Sequence, residues 1–284
     1  MGEREIVDAH VHLWNPQQFR VPWLDHEPAL NKPFGLPEYP RQGASSAISA
    51  MVYVEVDVAP HYVLLEAQWA AAQAAQDARL QGIVAAAPVE HGDRMRAYLA
   101  ALQSIGPLIK GVRRNLQAET DPGFALQPDF ARGVQLLAGY GFSFDICIRH
   151  HQLPMVVELV HRCPDTRFIL DHMGKPAIKA HLLDPWREHL AQLAALPNVW
   201  CKVSGLVTEA NLQQWTPADL APYLTHALEV FGEDRVVFGG DWPVLLLAST
   251  YDRWVETLDT LTQRLTPEAK RKLWADNARH FYRL

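Results

Sequence analysis

Cysteine is scarce, with three in 284 residues. Cys147, Cys163 and Cys201 are far apart and flanked by apolar residues, which suits reduced thiols in a core better than a disulfide framework or a zinc cluster. No run of about 18 apolar residues occurs, and the charged opening MGEREIVDAH leads into only a short apolar stretch, so neither a membrane span nor a secretory leader is expected. Positive charge is not in excess. Lys plus Arg number 26 against 32 for Asp plus Glu, a net charge of −6 with no long run of either sign, which argues against a nucleic-acid or anionic-membrane surface. The 16 Gly and 20 Pro are spread along a chain that is 49% hydrophobic and 20% charged, a profile that excludes disorder, collagen and coiled coil. The expectation is a cytoplasmic globular protein acting on a small molecule, with a homo-oligomer left open.

What is present is a recurring unit. Short β-rich runs lie at 6–14, 48–57, 80–89, 109–116, 142–149, 167–174, 199–206 and 235–244. Segments with helical character separate them at 62–79, 93–104, 129–139, 153–162, 185–196 and 217–231, and another follows at 251–264. Alternating β and α units make a parallel sheet, and eight of them close naturally into an α/β TIM (β/α)8 barrel, for which about 250 residues is an ordinary size. One domain over 1–284 is expected, closed by a helix and tail at 267–284 anchored by Leu273, Trp274 and Phe281. The first crossover differs. Residues 15–46 hold six prolines and little helical periodicity, too long for an ordinary turn. With Phe19, Trp23, Leu24, Phe34 and Tyr39, this segment reads as a lid or pocket wall over the catalytic face, or as a loop whose aromatics only pack on the barrel.

His10 and His12 sit two apart in an extended run, so both point the same way and can chelate. The tripeptide is common by chance; its place at the end of the first strand gives it weight, because barrel enzymes keep their sites at strand C-terminal ends. The same test selects Glu55, Arg113 or Arg114, Arg149 with His150 and His151, His172 and Asp241. In VRRN one arginine faces the interior; Arg113 is favoured because Gly111 shares its face and leaves room for a ligand. In DHMGKP, alternation sends Asp171 and His172 opposite ways. A structural histidine or a helix-capping aspartate is the plainer account of each taken singly.

The segments IVDAHVH, LDHMGKP, CKVSGLVTEA and VVFGGDWPV resemble the strand one, six, seven and eight signatures of the amidohydrolase superfamily, in the amidohydrolase-related branch. That branch includes sugar-acid lactonases of the L-fucono- and L-rhamnono-lactonase type and 2-pyrone-4,6-dicarboxylate lactonase. The resemblance implies a TIM barrel, His10, His12 and His172 around the reacting carbonyl, and Asp241 as the base that activates water. Binuclear members carry a carbamylated Lys near the end of strand four, whereas here Lys110 is at its beginning, which speaks against two metals. One ion held by His10, His12, His172 and Asp241 suits zinc or manganese, and for an activated ring ester both a metal-dependent and a metal-free opening are left open.

A lactonase of this kind needs a base, worth about 10²–10⁴-fold, and oxyanion donors, worth about 10²–10³-fold each. Asp241 and His172 fill those roles. Arg113, Arg149, His150 and Glu55 would contact substrate, with Trp23 and Trp242 as flat faces for a sugar. Two cationic groups favour a sugar lactone over a carboxylated non-sugar lactone. The rivals are a single-zinc decarboxylase of the same superfamily, with His150 or His151 as an added ligand, and a catalytically silent sugar-acid binding barrel.

Overall fold

The computed structural model describes residues 5–40, 43 and 47–284. Each of the eight apolar runs contains a strand: β1 (Ile6–Val11), β2 (Ile48–Val54), β3 (Leu80–Ala86), β4 (Ile109–Arg113), β5 (Ser143–Ile146), β6 (Phe168–Leu170), β7 (Val199–Val203) and β8 (Val236–Phe238). They pair in chain order, every neighbour parallel. The sheet nearly closes on itself. A parallel bridge joins Val11 to Trp242, the Asp241 N–H donates to the His10 carbonyl at 2.8 Å, and the His12 N–H donates to the Trp242 carbonyl at 2.8 Å.

Between and after the strands lie α1 (Val63–Ala74), α2 (Arg96–Ile105), α3 (Pro128–Tyr140), α4 (Leu153–Arg162), α5 (Trp186–Ala194), α6 (Leu206–Glu209), α7 (Pro217–Phe231), α8 (Tyr251–Leu261), α9 (Pro267–Arg271) and α10 (Asn277–Tyr282). Their starts follow local chemistry. Proline opens α3, α7 and α9, where a missing N–H costs nothing. The side chains of Thr250 and Thr266 accept the N–H groups of Arg253 and Ala269.

Strand alternation sorts the interior. Val7, Ala9, Val52, Val54, Val84, Ile169 and Val237 form a buried cluster with Phe281 and Tyr282 of α10. The chain end thereby closes the mouth of the barrel at the strand N-terminal ends, where the Lys110 ammonium donates to the Arg283 carbonyl at 3.0 Å. Polar side chains fill the interior above that cluster. Among the described residues, no helix is long and apolar enough to cross a membrane, and all three cysteines are free and buried.

Of the segment 15–46, residues 41, 42 and 44–46 lie outside the described residues. The remainder packs across the strand C-terminal ends. Trp14 bridges Phe34, while Phe34 and Tyr39 set their ring edges against Trp242. A 3-10 turn at Pro22–His26 presents Trp23, whose indole N–H donates to the Val56 carbonyl at 2.8 Å. Both accounts of this loop therefore have a part: its aromatics pack, and Trp23 also forms a pocket wall.

Candidate active site

His10, at the end of β1, and His12 just beyond it bring their Nε2 atoms to 3.1 Å of each other. Asp241 reaches them from β8, its Oδ1 lying 3.7 Å from His10 Nε2 and 3.6 Å from His12 Nε2. His172 Nε2 stands 3.9 Å from the same oxygen. The backbone makes this possible. Asp241 follows Gly239 and Gly240 and adopts φ 56°, a left-handed conformation. Asp8 fixes the crossing: its Oδ1 accepts the N–H groups of His10 and Gly240, and its Oδ2 accepts the Tyr39 and Tyr251 hydroxyls.

The alternation expected at DHMGKP does not hold. β6 ends at Leu170, and the turn at Asp171–Gly174 places His172 and Met173 in the left-handed region, both at φ 54°. Asp171 and His172 therefore turn toward the same partner. Asp171 Oδ1 is 3.4 Å from His10 Nδ1, and the His172 and His10 ring centroids are 4.4 Å apart.

Each imidazole has its second nitrogen engaged. His12 Nδ1 meets the Val54 carbonyl at 2.8 Å, His172 Nδ1 the Ser204 hydroxyl at 2.9 Å, and His10 Nδ1 lies between Asp171 and Lys202 Nζ, the latter at 3.2 Å. Lys202 is fully buried and pairs with Asp145 at 2.6 Å and Asp171 at 2.9 Å. Asp145 also accepts the Tyr282 hydroxyl at 2.6 Å.

Burial pushes the His172 imidazole down to about 4 against the opposing pull of Asp241. It likewise holds His10 far below the usual histidine range, opposed by Asp171. Asp241 runs the other way. Burial would raise it, but His172, His12 and His10 outweigh burial and keep it below the ordinary carboxylate range. Neutral imidazoles beside an ionised carboxylate are the protonation states a metal requires of its ligands. Bonds of about 2.0–2.1 Å to a tetrahedral ion set its ligand atoms about 3.3 Å apart. The spacings of 3.1, 3.7 and 3.6 Å among His10, His12 and Asp241 bracket that value, so these three fit one divalent ion; His10, Asp171 and His172 form a second compact group.

A cavity of about 220 Å³ opens above these groups, lined by His12, His172, Asp241, Arg113, Trp23 and, from outside the expected set, Asn115, Gln117, Lys175 and Thr208. Arg113 faces inward. It donates through Nε to Glu55 Oε1 at 2.5 Å, through Nη2 to the Glu55 carbonyl at 2.5 Å and through Nη1 to Asp171 Oδ2 at 3.3 Å. Glu55 is therefore occupied as the partner of Arg113, and its Oε2 accepts the Asp57 N–H at 2.6 Å. Arg114 points outward to Glu90 and Glu119.

Other expected contacts fall elsewhere. Trp242 is buried under Phe34 and Tyr39, so packing occupies its ring and leaves no platform for a sugar. Arg149 is exposed and His150 half-buried at the turn before α4, and neither lines the cavity, because the chain turns away after β5. His151 opens onto a separate surface hollow with Glu119 and Met155. Neither His150 nor His151 joins a metal-binding group among the described residues, so the added ligand of the decarboxylase alternative is not supplied here. Lys202, Asp145 and Lys175 escaped sequence reasoning. The alternation of β7 does place Lys202 and Ser204 on one face, and Lys175 is the lysine of DHMGKP, so a partial signal existed.

The family model described as amidohydrolase matches residues 7–284, and the chain belongs to that family. L-fucono-1,5-lactonase of Burkholderia multivorans is 32% identical over 98% of this chain and 96% of its own. A crystal structure of an amidohydrolase from the same organism, with bound zinc, superposes with a TM-score of 0.89 at 30% identity over 99% of both chains. L-rhamnono-gamma-lactonase of Scheffersomyces stipitis is 21% identical over the full length of both.

Proposed function

We propose that this protein hydrolyses the ring ester of a sugar-acid lactone to the free acid, with 1,5-aldonolactones as the leading substrate class. The observation that carries the reading is the convergence of His10, His12 and Asp241 on one point under a small polar cavity. The similarity to L-fucono-1,5-lactonase supports the substrate class.

Asp241 is ionised at neutral pH, as a base must be. It accepts a proton as the water oxygen bonds to the lactone carbonyl carbon, whose C=O electron pair moves onto oxygen. When that oxyanion collapses, the ring C–O bond breaks and Asp241 returns the proton to the departing alkoxide, giving a carboxylic acid and a free hydroxyl. Lys175 supplies positive charge to the cavity, Arg113 lines it while paired with Glu55 and Asp171, and Asn115, Gln117 and Thr208 offer partners to ring hydroxyls. His10, His12 and Asp241, with His172 beside them, would hold one zinc or manganese ion, which when bound polarises a carbonyl and lowers the pKa of water toward about 7.

The test is acid release, followed with a pH indicator, from a panel of 1,5- and 1,4-aldonolactones, on protein as purified, after chelation, and after zinc or manganese is restored. Ring opening of at least one member is expected. Loss of carbon dioxide from an aromatic acid, with no lactone opened in any metal state, would overturn the reading.

A further inference from the structure

We propose that the substrate extends beyond a single lactone ring, and that an apolar arm carried by that ring lies in a second chamber beside the reaction cavity. The inference rests on the lactonase reading and adds the part of the substrate that the reaction cavity does not hold. The chamber measures about 510 Å³ and shares four wall residues with the reaction cavity: Trp23, Asp57, Arg113 and Asn115. It lies over β3, at the same strand C-terminal face as the chemistry, where barrel enzymes build their substrate sites from the loops after the strands.

The two spaces differ in chemistry. Gln117, Lys175 and Thr208 give the reaction cavity polar partners of its own, whereas Val58, Ala59, Val63, Ala86, Ala87 and Pro88 make the chamber largely aliphatic. Its charged groups are mostly taken. Glu90 accepts from Arg114 Nε at 3.0 Å, and Glu55 is paired with Arg113. At the neck, Asn115 Nδ2 donates to Asp57 Oδ2 at 3.3 Å, and Asp57 adopts φ 57°. Val56 holds Trp23 across the opening.

Size argues for continuity. Small-molecule sites are commonly about 300–1,000 Å³, and the reaction cavity at about 220 Å³ falls below that range until the chamber is joined to it. An aliphatic chamber offers a polyhydroxylated ring few partners and favours the transfer of an apolar group out of water. The occupant that meets both conditions is an alkyl or aryl substituent attached to the lactone, larger than the methyl group of a 6-deoxy sugar.

The experiment compares kcat/KM for a 1,5-aldonolactone that the wild-type enzyme opens with kcat/KM for its mono-O-benzyl ethers. Burial of a phenyl group predicts a gain of about tenfold or more for at least one ether. Val63→Trp, at the half-buried start of α1, and Ala86→Leu both narrow the chamber; each should abolish that gain and leave the parent lactone unaffected. No gain with any ether in the wild type, or a gain that survives both substitutions, would overturn the proposal. If no lactone is opened at all, the lactonase reading fails separately. Ligand-observed NMR binding of the benzyl ethers then decides the chamber: binding lost in Val63→Trp supports it, and binding that is absent or unchanged refutes it.

Discussion

Asp241 depends on its backbone as much as on its carboxylate. Its left-handed φ aims the side chain at three imidazoles, and the opposing turn is held by Gly205 at φ 63°, where a Cβ would stand 2.5 Å from His172 Nδ1 and 3.1 Å from Asp241 Oδ2. Glycine is required there by conformation and by space. Gly205→Ala should cost about 1–3 kcal/mol of stability and, by displacing His172, lower kcat as well; thermal unfolding and lactone turnover check both, and an unchanged kcat would detach Gly205 from the site. Asp241→Asn keeps the shape and removes the base. Turnover should fall by at least about 10²–10⁴-fold while lactone binding measured by calorimetry changes little; near-normal turnover would assign the proton transfer to another group.

Between elements, the interior of the barrel carries a line of polar contacts from α10 to β1. The Tyr282 hydroxyl donates to Asp145 on β5, Lys202 on β7 joins Asp145 to Asp171 after β6, and Lys202 and Asp171 both meet His10. The Lys202 ammonium is fully buried, yet Asp145 and Asp171 outweigh burial and keep its pKa above the ordinary value. Removing one member leaves charges stranded. Lys202→Met should destabilise the fold by about 3–5 kcal/mol, and Tyr282→Phe by about 1–3 kcal/mol through the partner lost by Asp145. If the line orients His10, Tyr282→Phe also weakens zinc binding in a chelator-competition titration; a stability loss with unchanged zinc affinity would limit Tyr282 to closing the barrel.

For the molecule as a whole, pH dependence exposes a cost built into the fold. Glu66 of α1 is buried against β2, where its Oε1 accepts the Tyr53 hydroxyl and the Val56 N–H, both at 2.8 Å. Burial, reinforced by Glu55, pushes its pKa up from 4.5 to about 8. The folded protein therefore binds a proton between pH 4.5 and 8 that the unfolded chain has released, and the contribution of Glu66 to stability, complete below 4.5, is lost as pH rises through 8. Glu66→Gln keeps the acceptor and removes the titration. Its melting temperature should fall less than that of the wild type between pH 5 and 9; parallel curves would show that Glu66 is not the group responsible.

Eight β-rich runs and the segments between them sufficed to predict the barrel, because strand and helix periods are written locally and a parallel sheet needs both faces covered. Asp241 and the His10, His12 pair were legible for a related reason: each lies where an apolar run ends. The same runs hid the rest. Residues 167–174 look like one strand, but only Phe168–Leu170 is a strand, and the left-handed turn beyond it sets Asp171 and His172 on the same partner. Nor does composition distinguish Trp23, which lines the cavity, from Trp242, which packing covers. Which groups stand free and which are consumed by a neighbour depends on contacts between distant strands, as with Glu55 and Arg113 or Lys202 and His10, 192 residues apart. Periodicity records the face a side chain takes; the closure of the barrel settles what it meets there.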